Sequence, residues 1–596
     1  MSAKTLRNKQ YYDFVEIQRE LYSKSKTGKA DFKNLLELIL SDENILLAYR
    51  TIKSNTGSKT AGTDGKTILD IAEKHQEAFI NEMRQTLKSY KPNPIRRVFI
   101  PKPNGKLRPL GIPTLKDRIV QQMFVNVLEP ICEAKFYNHS YGFRPLRTAR
   151  HAVARMQTLI NINKLHYSVD IDIEGFFDNV HHGLLIKQLW NLGIKDKRVL
   201  AIIGKMLKAP IKGEGIPRKG VPQGGILSPL LSNVVLNDLD QWVANQWETF
   251  ETRRKYAGND VKIRTLKQTS KLKEGYIVRY ADDFRILTRD NKTAFRWFHA
   301  IRKYLKDRLK LDISPEKSKV INLRKRSSDF LGFKIKAVRK GKKHVAISHV
   351  SDKNKKQIKD KLKDKIKAIQ KNPTPETVHL YNSVVLGTQN FFKYATHVVK
   401  DFSDIEYRLL RTLSSKLKRV AKYEYPKGLS DKAVYSKFYS GKRKVYKIMN
   451  TYLYPISEVK TTNNFNFSQS QNPYDNIMAF NWDKEIIKLM RAKIPNRSVE
   501  YMDNRLSLFS QQRGICAVTK IPLPAELVHC HHKIPISLGG SDNYSNLIII
   551  HALVHKLIHA TKQGTIDKYV KLLELNAKQL RKINQLRSLC KLEKLS

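Results

Sequence analysis

Cysteine is scarce in this sequence. Four cysteines occur among 596 residues, at positions 132, 516, 530 and 590, and no two of them form a CxxC pair. A disulfide framework and a four-cysteine zinc ribbon both require closer or more numerous cysteines, so we expect neither. Low cysteine usage also suits a reducing compartment.

Long apolar runs are missing as well. Residues 220–237 carry no charge over a length that could cross a bilayer, but they contain Pro222, Pro229, three glycines and several amides. The N-terminus has no apolar signal core, and Asp13 and Glu16 do not suit a transit peptide. We therefore expect no membrane partner, no targeting segment and an intracellular location, which would be cytoplasmic in a bacterium.

Acidic residues are too few to balance the basic ones. The chain has 54 Asp and Glu against 111 Lys and Arg, a formal net charge of +57. Such a charge favours a polyanionic partner, with nucleic acid preferred over a membrane surface. Hydrophobic residues at 41% are enough for packed cores, which excludes a wholly disordered basic tail. At roughly 150 residues per domain, the length allows about four domains.

Two changes of pattern divide the chain. Residues 461–473 carry no charge and few core-forming side chains, which predicts a linker. Near Lys340 a mixed strand and helix pattern gives way to a helical one. There, residues 353–371 predict a helix with one aliphatic stripe, whose lysines face either solvent or phosphates. The stripe consists of Ile358, Leu362, Ile366 and Ile369.

Acidic and apolar residues alternate in the middle of the chain. Residues 167–174, YSVDIDIE, predict a half-buried strand with its acidic side chains on the open face. Alternation alone does not decide whether Asp170 or Asp172 is the functional acid, because both lie on that face.

A second acidic pair occupies a predicted hairpin turn. Residues 274–290, EGYIVRYADDFRILTRD, predict two short strands with Asp282 and Asp283 between them. Adjacent aspartates repel each other unless a cation neutralises them, and a third carboxylate nearby would complete a site for two Mg²⁺ ions. Such a site serves in-line phosphoryl transfer, although an isolated Asp-Asp pair also fits a solvated turn.

Two further segments favour a nucleotide site. Residues 220–233, GVPQGGILSPLLSN, have glycines that permit close backbone approach before a helix begins. Lys102 and Arg108 flank a Pro-Asn-Gly turn, in a basic hairpin that could hold a triphosphate.

The order of these segments resembles a reverse transcriptase, and in particular the group II intron-encoded proteins, which combine RNA maturase and reverse transcriptase activity. The resemblance covers nearly the whole chain. It rests on AGTDGKTI at 61–68, SYGFRP at 140–145, DIDIEGFFD at 170–178, VPQGG at 221–225, YADD at 280–283, SPEKSKVI at 314–321 and FLGFKI at 330–335.

The resemblance implies roles for single residues. Asp172, Asp282 and Asp283 look like the catalytic metal-binding triad, where the family register selects Asp172 by the aromatic five positions on. That aromatic, Phe177, looks like the gate that excludes a ribose 2′-hydroxyl, although it also fits a core position. The implied nucleotide-binding residues are Lys102, Arg108, Phe177, Gln223, Gly224 and Lys317. Lys102 and Arg108 also fit plain surface charges.

The region from Thr377 onward resembles the start of the maturase thumb. Its basic helices with interspersed tyrosines suit structured RNA, which is recognised by shape, phosphate and 2′-hydroxyl contacts. A helical bundle that is basic only because the proteome is lysine-rich is the alternative.

Histidines cluster near the end of the chain. His551, His555 and His559 recur every four residues, which predicts one face of a helix. A zinc-protease motif would need Glu at position 552, where the chain has Ala. Together with the pair His531 and His532 and with Asn546, the order resembles an HNH nuclease of the ββα-metal type.

The HNH resemblance implies one divalent metal, for which we expect Mg²⁺. His531, His555 and His559 would bind it, His532 would deprotonate the attacking water, and Asn546 would brace the loop and orient His532. Many HNH domains also hold a zinc ion with two CxxC pairs. Here Thr519, His551 and Val554 replace three of those cysteines, so a structural zinc is doubtful.

The predicted fold class is multidomain α+β: a right-hand reverse transcriptase, an α-helical thumb or maturase domain, and a small ββα-metal HNH domain. The expected segments are an N-terminal extension (1–75), fingers and palm (76–340), thumb and maturase, or domain X (341–460), a linker and DNA-binding segment (461–510) and the HNH endonuclease (511–596).

The resemblance implies a multifunctional protein of intron mobility. It would bind group II intron RNA and assist its splicing. It would also polymerise dNTPs across that RNA from the 3′ end that the nuclease makes in target DNA, with residues 484–497 contacting DNA. The alternatives are a splicing-only maturase, or a reverse transcriptase of another system such as defence or diversity generation.

Overall fold

The computed structural model describes residues 14–28, 31–101, 105, 107–426, 435–474, 483–492 and 494–595. Lys102, expected at the nucleotide, and Lys493, within the expected DNA-binding stretch, lie outside these residues.

Helices and strands alternate irregularly along the chain. The first part forms α1 (Phe14–Lys26), α2 (Leu35–Ile39), α3 (Asp42–Lys53), α4 (Ile68–Ala72), α5 (Gln76–Lys88), β1 (Arg96–Pro101), β2 (Leu107–Ile112), α6 (Leu115–Glu133) and α7 (Ala149–Asn161). The middle part forms β3 (Tyr167–Ile171), α8 (Phe176–Asn179), α9 (His182–Asn191), α10 (Lys197–Leu207), α11 (Ser228–Gln246), α12 (Asn259–Thr269), β4 (Tyr276–Tyr280), β5 (Asp283–Thr288) and α13 (Asn291–Tyr304).

The later part contains the remaining elements. These are β6 (Lys319–Asn322), β7 (Ser328–Phe330), β8 (Phe333–Lys340), β9 (Lys343–Val350), α14 (Asp352–Lys371), α15 (Pro375–Phe392), α16 (Val398–Leu417), β10 (Lys422–Glu424), β11 (Val445–Ile448), β12 (Thr451–Tyr452), α17 (Asp483–Arg491), α18 (Val499–Gln511), β13 (Val528–His532), β14 (Leu547–His551), α19 (Ala552–His559), α20 (Gln563–Leu573) and α21 (Ala577–Leu589).

The chain forms two compact units that are interleaved in sequence. The first unit comprises Met1–Phe136, Phe177–Val235 and Gln471–Ser596, and the second comprises Tyr137–Phe176 and Leu236–Ser470. The expected order of successive domains therefore does not describe the contacts, because the segment with the clustered histidines belongs to the same unit as the N-terminal helices.

Helix α6 is the centre of the first unit. It is buried on almost every side, and α1 and α3 pack against it. Its buried positions include polar and charged side chains as well as apolar ones, so neighbouring elements must both cover the helix and hydrogen-bond to it. Its start is fixed by Thr114, whose side chain accepts a hydrogen bond from the backbone N–H of Asp117.

Buried charges join α3 to α18 within the first unit. Arg50 forms an ion pair with Asp503 at 2.7 Å, and Lys53 lies 2.8 Å from Glu500 and 3.0 Å from Asp503. Tyr49 donates a hydrogen bond to Glu500 at 2.9 Å. These contacts form an ionic clamp of α3 and α18, which we name by its central pair, Arg50 and Asp503.

A four-stranded antiparallel sheet organises the second unit. Its strand order is β4-β5-β3-β6, with β3 paired to both β5 and β6. The predicted acidic strand ends at Ile171 rather than at residue 174, and it is buried on both faces from Ser168 to Ile171. The expectation of an open acidic face is therefore wrong, because β7 supplies Ser328 to cover Asp170.

The region after Lys340 is only partly helical. The aliphatic stripe on α14 is buried as its spacing predicts: Ile358, Leu362, Ile366 and Ile369. However, β8 pairs with β9 in a hairpin that continues to Val350, and β10, β11 and β12 form a further sheet. The expectation of an all-helical region misses β10 to β12, which have at most four residues each, and β9, which lies directly before the lysine-rich α14.

The predicted linker is docked, although it contains no helix or strand between residues 461 and 470. Phe467 is buried, and the guanidinium groups of Arg147 and Arg150 lie over the rings of Phe467 and Phe465. Asn464 donates a hydrogen bond to Gln157 of α7 at 3.0 Å. A charge-free composition therefore does not mark a free segment here, because cation–π contacts hold it.

The final segment pairs β13 with β14 and continues directly into α19. The leucine-rich sequence of residues 567–589 predicts one helix, but the structure has two, α20 and α21, because Glu574 adopts a left-handed conformation at φ 43°. None of the helices described in the structure combines the length and hydrophobicity needed to cross a bilayer.

Candidate functional site

Three aspartates meet at one end of the four-stranded sheet. Asp172 directly follows β3, Asp283 begins β5, and Asp282 lies in the turn before it. Because β3 and β5 run antiparallel with Ile171 opposite Phe284, the next step of the same register sets Asp172 opposite Asp283. The sheet thus places the three predicted aspartates at the same end, with Asp172 paired to Lys317 and Asp283 to Arg285.

The structure distinguishes Asp170 from Asp172. Asp170 is 4% exposed, accepts a hydrogen bond from Ser328 Oγ at 2.7 Å and pairs with Arg285 Nε at 3.2 Å. The Asp172 side chain is 43% exposed and turned to the surface. Asp170 is therefore a structural carboxylate, whereas Asp172 is accessible to a ligand.

Lys317 lies beside Asp172. Its Nζ is 3.0 Å from Asp172 Oδ2, and the backbone N–H of Asp172 donates to Ser318 Oγ at 3.1 Å. The segment that contains Lys317 therefore reaches the carboxylates, as a lysine near transferred phosphates would need to do.

The Asp282–Asp283 turn is held by residues that the sequence analysis did not select. Arg279 is fully buried, pairs with Asp240 at 2.6 Å and donates to the carbonyl of Ala281 at 2.8 Å. Ala281 has φ 57°, and a Cβ on Gly142 would lie 2.3 Å from its backbone nitrogen. Gly142 belongs to the SYGFRP motif, which therefore contacts the turn. That motif is the sequence signal from which Gly142 could have been selected.

The electrostatics of this end of the sheet suit a cation. Burial raises the pKa of Asp283 above its ordinary value; Arg285 opposes this effect, while Asp170 and Asp282 reinforce it. Oxygen donors crowded in this way are ligands that Mg²⁺ prefers, so the residues fit divalent cations held by Asp172, Asp282 and Asp283.

Apart from Lys102, the other predicted nucleotide-binding residues lie in the first unit, around one loop. Arg108 on β2 donates to the side-chain oxygen of Gln223 at 3.0 Å, and the backbone of Gly111 donates to the carbonyl of Gln223 at 2.7 Å. A Cβ at Gly224 would meet the carbonyl oxygen of Gly111 at 2.7 Å. The VPQGG loop therefore needs its glycine in order to lie against the hairpin.

Phe177 belongs to the same arrangement. Its carbonyl accepts a hydrogen bond from the backbone N–H of Val221 at 2.7 Å, and its ring is half-buried. Arg108, Phe177, Gln223 and Gly224 are thus assembled around one loop. Their roles toward a nucleotide stay predictions.

Comparisons with known proteins agree with this arrangement. Residues 100–335 match the family model described as reverse transcriptase (RNA-dependent DNA polymerase). The group II intron-encoded protein LtrA of Lactococcus lactis is 30% identical over 474 residues, which cover 67% of this chain and 78% of LtrA. Protein YkfC of Escherichia coli is 36% identical over 323 residues, or 51% and 84% of the two chains.

This chain belongs to the group II intron-encoded proteins. A putative COX1/OXI3 intron 2 protein of Saccharomyces cerevisiae is a further relative, 26% identical over 56% of this chain and 44% of its own length. Reverse transcriptase and splicing maturase roles accord with membership of this family.

The intron-encoded protein has a second cluster outside residues 100–335. The ligand nitrogens of His531 on β13 and of His555 and His559 on α19 all lie within 4.8 Å of one another. The spacing of His551 predicted a position on the helix, but His551 is the last residue of β14. It caps α19 by accepting a hydrogen bond from the backbone N–H of Leu553.

Burial keeps these histidines neutral, as metal ligands must be. Burial, together with the neighbouring histidines, lowers the pKa of His531 and of His555 to about 3. Nε2 of His531 is buried without a hydrogen-bond partner. An orphaned acceptor of this kind next to two other imidazoles fits a divalent metal, so all three predicted ligands are compatible with one.

His532 faces a different environment from that of its neighbour. Its Nε2 lies 2.7 Å from Asp542 Oδ1, and its ring stacks on Tyr501 of α18. Asp542 and Tyr501 were missed by the sequence analysis, because nothing in the local sequence shows that they meet His532. The alternation of a strand separates the two adjacent histidines as expected.

Asn546 braces the loop after His532. Its side chain donates to the carbonyls of Ile534 and Ser541 and accepts from the backbone N–H of Ile534, each at 2.9 Å. These hydrogen bonds are those expected of a residue that holds the loop in place. The side chain that contacts His532 is Asp542 rather than Asn546.

Hydrogen bonds hold the position that a zinc ion holds in many HNH domains. Cys516 Sγ accepts from the backbone N–H groups of Thr519 at 3.4 Å and His551 at 3.3 Å. The His551 ring is occupied as a helix cap. One thiol and one capping imidazole do not fit tetrahedral zinc, which needs four ligands.

Proposed function

We propose that this protein is a multifunctional enzyme of group II intron mobility, in which polymerase, maturase and nuclease act on one RNA–DNA assembly. Asp172, Asp282 and Asp283 would bind two Mg²⁺ ions for DNA synthesis on an RNA template. The position of the three aspartates at the same end of β3 and β5 supports the proposal. Intron RNA, target DNA and dNTPs would be the partners.

The polymerase reaction is an in-line displacement. The primer 3′-oxygen forms a bond to the α-phosphorus of the dNTP as the bond to the pyrophosphate oxygen breaks. Bound Mg²⁺ supplies charge neutralisation and activation of the primer hydroxyl. The ammonium of Lys317, which lies 3.0 Å from Asp172, would neutralise or protonate the leaving pyrophosphate, while Phe177 would exclude a ribose 2′-hydroxyl.

The nuclease would cut the DNA strand whose new 3′ end primes synthesis. His531, His555 and His559 would hold one divalent metal at the scissile phosphate, and His532 would deprotonate the attacking water. As the new bond to phosphorus forms, the bond from phosphorus to the 3′-oxygen would break, and that oxygen would take up a proton to become the 3′-hydroxyl of the primer. The 2.7 Å contact with Asp542 supports this role, because a carboxylate stabilises the imidazolium formed when His532 accepts the proton.

The polymerase assignment is tested by replacing Asp282 and Asp283 with Ala. Primer extension with Mg²⁺ should be abolished while assisted splicing of the intron RNA persists. Asp307→Ala, which removes an exposed aspartate beyond α13, is the matched control and should extend normally. Surviving extension in the double variant would show that the triad is misassigned. A wild-type protein that assists splicing but never extends a primer would be a splicing-only maturase.

The nuclease assignment is tested separately. His532→Ala should stop cleavage of the target DNA strand while polymerisation on a preformed primer continues, with His299→Ala on α13 as the exposed-histidine control. Cleavage at the wild-type rate would remove His532 from the mechanism.

A further inference from the structure

The sheet of β10, β11 and β12 carries tyrosines on one exposed face. Tyr423 on β10 is directly opposite Tyr446 on β11, with ring centroids 4.8 Å apart. Tyr423 is 55% exposed, and Tyr425, two residues on and hence on the same side, is 48% exposed. Lys444 Nζ lies 5.7 Å from the Tyr425 ring centroid. We call Tyr423, Tyr425, Lys444 and Tyr446 the tyrosine face.

The opposite side of this sheet is the side that packs inward. Val445 is buried, and Lys447 pairs with Glu424 at 3.7 Å and lies over the buried Tyr452 ring. Glu424, the acidic side chain of the described strands β10 to β12, is thus turned away from the tyrosine face. Large aromatic rings left at the surface of a folded domain indicate a binding site more often than packing.

The charge around the tyrosine face is strongly positive. Residues 411–425 and 442–450, which contain the end of α16 and the strands, hold nine basic side chains and one acidic side chain, Glu424. Burial raises the pKa of Tyr446 and the neighbouring Ser414 side chain opposes this rise, so that end of α16 lies beside the face. Rings flanked by such charge match a nucleobase with phosphates on either side.

We propose that the tyrosine face binds unpaired nucleotides of RNA, with a base stacked on Tyr423 and Tyr425 and the adjoining phosphates held by Lys444 and the basic end of α16. This inference rests on the proposed RNA-binding function and locates one contact within it. Paired bases are covered by their neighbours, so only loops, bulges and strand ends can offer a ring face to the sheet.

The test uses the full-length protein and a 12-nucleotide single-stranded RNA with one 2-aminopurine flanked by adenines. Tyr423→Ala should weaken binding about fivefold or more, because base–aromatic stacking contributes at least about 1 kcal/mol. It should also abolish quenching of the 2-aminopurine. Tyr423→Phe keeps the ring and should retain the wild-type affinity within about twofold.

Salt dependence separates stacking from phosphate binding. Tyr423→Ala should leave the slope of log affinity against log salt unchanged, whereas Lys444→Gln should reduce it by about 0.7, one phosphate contact with a single strand. Phe295→Ala, which removes an exposed ring on α13, is the aromatic control and should bind as the wild type does.

The outcomes are distinct. If the wild-type protein fails to bind the RNA, the proposed function fails and this inference falls with it. If the wild type binds and Tyr423→Ala binds equally well, the inference alone is wrong. Loss of affinity in Tyr423→Phe would show hydroxyl bonding instead of stacking and would overturn it. An equal loss on a blunt RNA duplex or on single-stranded DNA of the same sequence would overturn the assignment to unpaired RNA.

Discussion

Gly142 has no space for a side chain, since a Cβ would fall 2.3 Å from the backbone nitrogen of Ala281. Backbone atoms in a strained turn cannot move aside without displacing Asp282 and Asp283. Gly142→Ala should therefore reduce primer extension at least about tenfold, as misplacement by about 1 Å costs up to about 100-fold in rate. Gly204→Ala, in α10 with nothing nearby, should extend normally. Unchanged extension in Gly142→Ala would show that the turn can yield.

Asp542 is another single residue with a testable role, because its carboxylate positions His532. Asp542→Asn keeps the shape but removes the charge that favours an imidazolium. We expect the turnover of DNA strand cleavage to fall about 10–100-fold, the usual cost of losing an outer partner, with DNA affinity and polymerisation unchanged. Asp567→Asn on α20 is the control. If turnover is unaltered, His532 does not rely on this carboxylate.

Local sequence patterns predicted many of the candidate site residues but not the residues that contact them. The Asp-Asp hairpin and the spaced histidines could be predicted because turn chemistry and strand or helix period are local. The choice between Asp170 and Asp172 could not be made from alternation, since it depends on Ser328 and Arg285 far along the chain. Arg279 and Asp240 were missed for the same reason.

The ionic clamp of α3 and α18 is the contact between helices whose loss we expect to lower stability most. Removing one partner of a buried ion pair leaves an uncompensated charge, at a cost of about 3–5 kcal/mol. Asp503→Ala should lower the free energy of unfolding of the first unit by that order, measured by denaturant titration. The double variant Arg50→Met with Asp503→Leu should recover part of the loss, and no recovery would mean that the pair itself contributes little.

The same clamp makes stability depend on pH. Burial alone would raise the pKa of Asp503, but Arg50 and Lys53 outweigh it and hold the pKa below its ordinary 3.8. A carboxyl with a lowered pKa stabilises the fold above the unfolded value, and that stability is lost as pH falls through the folded pKa. Melting temperatures should therefore drop below about pH 4, and less steeply in Asp503→Asn. Parallel curves for the two proteins would contradict the assignment.

Element prediction succeeded where one period dominates. The stripe on α14 and the hairpin of β4 and β5 follow directly from spacing. It failed at β9 to β12 and at the break between α20 and α21, where short strands and a left-handed residue leave weak local signals. His551 shows the limit clearly, because helical spacing continued one turn beyond the true helix start.

Excess positive charge is the dominant property of the whole molecule. Each lysine or arginine that meets a phosphate releases counterions, so RNA affinity should fall by about 10³-fold or more between roughly 50 and 200 mM salt if six or more phosphates are bound. Filter binding across that range measures the slope. Lys356→Gln with Lys363→Gln on α14 should reduce the slope if those lysines meet phosphates. A slope equal to that of the wild type would assign them to a solvated face.

The interleaving of the two units has a consequence for synthesis of the chain. When the ribosome has synthesised residue 470, all segments of the second unit have been made, but only two of the three segments of the first unit. Arg50 and Lys53 must then wait for Glu500 and Asp503 to emerge. The N-terminal helices are made first, but their ionic clamp is completed last, so a stop codon before residue 500 would leave Arg50 and Lys53 without their carboxylate partners.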